Sequence, residues 1–132
     1  MRGVDTNILV RFLTADDPEQ VEIVKDLFAQ AEAEQERFNV SSIVLCELVW
    51  VLRAQYRLRR GEICSMLGSL FEARVLEIQE KDLARRALEQ FKQGPADFAD
   101  YLIGWQNRRA GCLDTLTFDG DLKGTPGFTA LS

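Results

Sequence analysis

Histidine is absent from this chain. Its absence removes Ser-His and Cys-His nucleophilic catalysis, imidazole acid-base chemistry and His-ligated zinc. Any chemistry must rest on carboxylates, hydroxyls or lysine, and lysine is scarce, because Lys25, Lys81, Lys92 and Lys123 are four of the 16 cations and the remaining twelve are Arg. Cys46, Cys64 and Cys112 are odd in number and widely spaced with no C-x-x-C, so neither a zinc knuckle nor a disulfide framework is offered, and they read as reduced core thiols. No apolar run approaches the roughly 20 residues needed to span a bilayer. Met1-Arg2-Gly3-Val4-Asp5 reaches an acid before any apolar h-region, so no secretory signal is expected and the expected location is cytoplasmic.

What is present fits one globular domain over residues 1–132, with 46% hydrophobic and 28% charged residues and no linker, repeat or low-complexity stretch. The net charge of -5 argues against a protein that coats polyanions through a broad basic stripe. Arg favours bidentate contact with phosphate or carboxylate, so a local phosphodiester site remains compatible with an acidic chain.

Along the chain, Arg2-Gly3-Val4 is a short strand candidate broken at Asp5-Thr6-Asn7 before the apolar set Ile8, Leu9, Val10, Phe12 and Leu13. Asp17 as N-cap with Pro18 at the first helical position starts a helix whose apolar stripe is Val21, Val24, Leu27, Phe28 and Ala31. A second strand is expected around Phe38–Ser41, with Ser41 or Ser42 capping the next helix. From Ile43 to Leu52 nine of ten residues are apolar, which predicts a helix buried on nearly all sides. A further helix follows Gly61 to about Phe71, and Val75, Leu76 and Ile78 suggest a third strand. Leu83, Ala84, Ala87, Leu88 and Phe91 share one helical face before Gly94-Pro95. Another helix is expected from Ala96 to Ala110, a strand over Cys112–Phe118 and a last one over Phe128–Leu131. Short strands alternating with helices predict a parallel α/β domain.

Several carboxylates invite explanation. Glu47 is the one polar residue in the apolar stretch, and a buried ionised carboxylate would need an Arg partner, a raised pKa or a bound cation. Asp5 and Asp119 each follow a strand, where ligands bind in parallel α/β sheets and where Asp also commonly forms turns or caps. Asp97 and Asp100 share a helical arc with Gly104 and Asn107, an unfavourable like-charge spacing unless a cation or the helix N-terminus offsets it. Asp97 falls in the first turn, Asp100 is expected one turn further in, and Gly104 would leave room for a ligand. Asp5, Glu47, Asp100 and Asp119, with Asp97 and Asp121 nearby, would together make a hard-oxygen site suited to Mg²⁺ or Mn²⁺.

V-D-T-N-I-L-V-R at Val4–Arg11, S-S-I-V-L-C-E-L-V-W-V-L at Ser41–Leu52, D-F-A-D-Y-L-I at Asp97–Ile103 and L-T-F-D-G-D-L at Leu116–Leu122 resemble the PIN-domain family, in particular the VapC toxins of toxin-antitoxin systems. The four motifs, in order, cover essentially the whole chain. The resemblance implies a three-layer α/β/α fold with a parallel sheet of about five strands. It also implies a divalent-metal-dependent endoribonuclease that leaves a 5′-phosphate and a 3′-hydroxyl. It places the metal-binding and catalytic set at Asp5, Glu47, Asp100 and Asp119, with Asp97 and Asp121 as further candidates and Thr6, Asn7 and Thr117 as orienting groups. A cognate antitoxin, a homodimer and an RNA substrate are the implied partners. Leu113-Asp114 departs from the family's apolar strand.

Arg11, Arg53 and Arg57, with Arg59 and Arg60, are candidates for holding the RNA backbone or are plain surface charge. Two other classes stand beside the nuclease. One is a metal-free PIN-like RNA-binding or protein-interaction module, which would tolerate loss of Asp5. The other is a phosphatase built on Asp119-Gly120-Asp121, disfavoured because Thr6-Asn7 stands where a second acid near Asp5 would be wanted.

Overall fold

Helices begin where the sequence supplies capping side chains. In the computed structural model, which describes all residues from Met1 to Ser132, the Asp17 carboxylate accepts from the Gln20 N–H at 3.1 Å. Pro18 takes the first helical position, where a missing N–H leaves nothing unsatisfied. Ser41 Oγ accepts from the Val44 N–H at 3.3 Å at the start of the following helix. Such caps are each worth about 1 kcal/mol.

The chain forms two compact units, Met1–Gln79 and Glu80–Ser132. The first runs β1 (Arg2–Gly3), α1 (Thr6–Leu13), α2 (Pro18–Ala33), β2 (Phe38–Val40), α3 (Ser42–Ala54), α4 (Arg60–Glu72) and β3 (Leu76–Ile78). Its strands are parallel in the order β1-β2-β3, with Arg2 opposite Phe38 and Phe38 opposite Leu76. Parallel neighbours need crossovers, and a helix pair supplies each one. α1 packs against α2 and α3. Leu9 and Val10 of α1 and Leu45, Leu48 and Leu52 of α3 are shielded from water, and the Phe28 ring lies 4.8 Å from Phe12 and 5.3 Å from Phe38.

The second unit runs α5 (Lys81–Gln93), α6 (Phe98–Arg109), β4 (Thr115–Thr117), a 3₁₀ turn (Gly120–Leu122) and β5 (Phe128–Ala130), with β4 and β5 parallel. Every member of the apolar stripe expected on α5 is buried, and α5 packs against α6. Arg109 near the end of α6 donates from Nη1 to Asp82 Oδ1 at 3.2 Å and from Nη2 to Asp82 Oδ2. Its hydrogen bonding is the largest cause holding the Asp82 carboxyl below its ordinary value. This pair is solvated, so it aligns the helices more than it stabilises them.

The α/β class and the five strands match expectation, hydrogen-bonded as a set of three and a set of two. No helix is long and apolar enough to cross a membrane. Elsewhere the expectations need correction. The strand anticipated over Cys112–Phe118 is confined to Thr115–Thr117, because β5 offers partners to three residues only, and Leu113 is 97% exposed. The thiols are not core groups: Cys46 and Cys64 are half-buried and Cys112 is exposed.

The stretch Ile43–Leu52 is not buried all round, since only one side of α3 is packed. Leu45, Leu48, Val49 and Leu52 are covered, whereas Ile43 is 74% and Trp50 50% exposed. The space directly over Gly104 is filled by a side chain of the protein itself: the Phe128 ring lies there, and a Cβ on Gly104 would be 2.6 Å from its Cζ.

Gly104 is therefore a packing residue. Gly104→Ala gains up to about 1 kcal/mol of helix propensity but overpacks the ring at a cost of about 1–3 kcal/mol, so a net loss is expected in urea denaturation. In a Phe128→Leu background the same substitution should become stabilising, and an unchanged cost there would refute the contact as its cause.

Candidate functional site

Asp5 lies two residues beyond β1 and is the N-cap of α1, its Oδ1 accepting from the Ile8 N–H at 3.3 Å. Thr6, the next residue, is a buried polar group whose hydroxyl donates to Glu47 Oε1 at 3.0 Å. That bond joins α1 to α3 and fixes the Glu47 carboxylate. At the start of α3 the Ser42 N–H donates at 2.9 Å to Gln79 Oε1, a cap supplied from just beyond β3 that nothing in the sequence marks.

Glu47 is exposed, which corrects the reading of it as a buried charge. An exposed carboxylate needs neither an Arg partner nor a neutral state, and Glu47→Gln has no buried charge to relieve. Asn7 is exposed in the first turn of α1. Arg11 is already engaged, with Nε donating to Gln20 Oε1 at 2.6 Å and Nη1 reaching Asp16 Oδ1 at 3.4 Å. Arg53 is exposed near the end of α3, and Arg57 is exposed in the following loop with φ 54°.

In the second unit, α6 begins at Phe98 with Asp97 as its N-cap, so Asp100 belongs to the first turn and not to the next one as expected. Asp100 Oδ2 accepts from the Asp97 N–H at 3.1 Å. Asp119 caps the 3₁₀ turn, its Oδ1 accepting from the Asp121 N–H at 2.9 Å, while Thr117 Oγ1 accepts from the Asp119 N–H at 2.9 Å. Asp97 and Asp100 are half-buried, and Asp119 and Asp121 are exposed. Burial is the largest influence on Asp100 and raises its carboxyl above the ordinary 3.8. The Asp97 N–H pulls the other way, and the charges of Asp97, Asp119 and Asp121 add to the upward push.

A common pattern emerges. Asp5, Glu47, Asp100 and Asp119 each hold one oxygen on a single donor, Ile8 N–H, Thr6 Oγ, Asp97 N–H and Asp121 N–H respectively, and leave the other oxygen open. Within neither unit do three acids stand close enough to hold a metal ion between them. The donors nonetheless fit a hard divalent cation in kind, since all are carboxylate oxygens and like charge accumulates at Asp100.

Residues 4–127 match the PIN domain family. A VapC ribonuclease of Aquifex aeolicus (strain VF5) is 24% identical to this chain over 123 residues, spanning 93% of it and 90% of that protein.

The raised Asp100 carboxyl has a signed consequence for stability. A carboxyl that titrates above its unfolded value stabilises the fold below that value, 3.8, and this contribution is lost as pH rises through the folded pKa. Asp100→Asn removes the loss and still offers an oxygen to the Asp97 N–H. In urea denaturation the variant should therefore gain on the parent between acid and neutral pH. A stability difference independent of pH would count against the perturbed carboxyl.

Proposed function

The chain belongs to the PIN domain family, and from that premise we propose that it is a divalent-metal-dependent endoribonuclease, the toxin of a toxin-antitoxin pair. Its similarity, over nearly its whole length, to a protein named as a VapC ribonuclease supports the nuclease activity. The half-satisfied carboxylates carry the proposal of metal dependence: one oxygen of each acid is tied down and one is left open. The family match over residues 4–127 supports reading 1–132 as a single PIN domain.

Asp5, Glu47, Asp100 and Asp119 would hold Mg²⁺ or Mn²⁺, with Asp97 and Asp121 as further candidates. Such an ion, when bound, would neutralise charge on a phosphoryl oxygen and lower the pKa of water, supplying an activated water to a chain that has no histidine. Hydrolysis adds that water across the phosphodiester and breaks the P–O3′ bond, leaving a 5′-phosphate and a 3′-hydroxyl. Thr6 holds Glu47 at a fixed angle by occupying Oε1. Thr117 and the Asp121 N–H do the same for the loop that carries Asp119. Asn7 is assigned a lesser orienting role beside Asp5. Arg11, Arg53 and Arg57 are the candidates for the RNA backbone, with Arg53 and Arg57 exposed at the end of α3 and beyond it and Arg11 bonded to Gln20 and Asp16.

The assembly proposed is a cytoplasmic homodimer held inactive by a cognate antitoxin protein. Large apolar side chains left in water in the second unit, Leu116 at 62%, Phe118 at 78% and Leu131 at 52%, support a protein partner.

Purified protein should cleave RNA with Mg²⁺ or Mn²⁺ and stop on addition of EDTA. Cleavage that survives chelation would overturn the metal, and RNA binding insensitive to metal and to Asp5→Asn would identify a non-catalytic module instead. Asp5→Asn and Asp119→Asn keep a capping oxygen, so thermal melts should move little while kcat collapses. Thr6→Val, which frees Glu47 without removing it, should cost about 10–100-fold in activity.

A further inference from the structure

Trp50 stands on the water-facing side of α3. It shares the outward line of α3 with Ile43 and Glu47 at the i, i+4, i+7 spacing, opposite the buried Leu45, Leu48, Val49 and Leu52. Half of its surface is in water, and Ile43 is 74% exposed. Glu47 is thus a carboxylate set between two exposed apolar side chains on one helix face.

The other tryptophan shows what a structural indole looks like in this fold. Trp105 lies under the guanidinium groups of Arg86 at 5.0 Å and Arg108 at 5.6 Å, and its Nε1–H donates to Gln90 Oε1 at 2.7 Å. Trp50 has no ring stacking, cation–π contact or hydrogen bond of this kind, so its faces are uncommitted. Cationic side chains lie at the same end of α3: Arg53 is exposed one turn on, and Arg57 is exposed in the loop that follows. An aromatic face with neighbouring Arg is the chemistry that binds unpaired bases and their phosphates, whereas a duplex hides its base faces in the stack.

We propose that Trp50 is a stacking platform for an unpaired base of a single-stranded RNA, seating the strand so that a phosphodiester lies at Glu47. The inference rests on the ribonuclease reading above and names the residue that selects unpaired substrate. Trp50 binds substrate and takes no part in the bond cleavage.

The test is steady-state cleavage of a mixed-sequence single-stranded oligoribonucleotide by the full chain, with Trp50→Ala, Trp50→Phe and Trp50→Leu. Trp50→Ala should raise KM about tenfold with kcat nearly unchanged, Trp50→Phe should restore it, and Trp50→Leu, apolar but without a π-face, should not. The same RNA carrying abasic sugars should be cleaved with equal KM by the parent and Trp50→Ala. Absence of cleavage by the parent would defeat the ribonuclease reading. Cleavage with KM unmoved in Trp50→Ala would defeat the stacking alone. Sedimentation of the same variants separates the remaining occupant: loss of self-association in Trp50→Ala, with KM unchanged, would make this face a protein interface and overturn the proposal.

Discussion

A carboxylate has two oxygens, and a backbone N–H at a helix start needs only one of them. Three of the four acids proposed as ligands sit where that division arises, Asp5 at α1, Asp100 in the first turn of α6 and Asp119 at the 3₁₀ turn. The free N–H groups there hold the side chains in place. Capping and ligation are therefore compatible roles for the same residue. Glu47, in mid-helix, has no free N–H to use and is held by the Thr6 hydroxyl from a neighbouring helix. Acids held in this way by the fold itself need no cation to keep their geometry.

The elements legible from sequence were those whose cause is local. The Asp17-Pro18 start of α2, the Ser41 cap of α3 and the buried face of α5 all follow from side chains acting within a turn or two. Errors arose where the deciding contact is remote. Counting apolar residues between Ile43 and Leu52 reports how hydrophobic a helix is but not how many of its sides are covered, so Glu47 reads as a buried charge when it faces water. Gly104 looked like a vacancy because Phe128, which fills the space, lies far along the chain.

The candidate site divides along the same line. Which acids to propose as ligands rests on residue type and order, and both are written in the sequence. The Thr6 to Glu47 bond links residues 41 apart, and the Gln79 cap on α3 joins residues 37 apart, so neither has a sequence signature. The helix frame of α6 was displaced because its first helical residue is Phe98, and that shift moves Asp100 into the capping turn.

The ring of Phe128 resting on Gly104 couples the first residue of β5 to the helix turn that follows Asp100. Volume at these two positions is shared, so neither can drift independently during divergence. Among descendants of this chain, a side chain gained at position 104 should be accompanied by a smaller residue at position 128. The pair would then register as covariation between a helix and a strand, and would trace the lineage's history through a contact that never touches substrate.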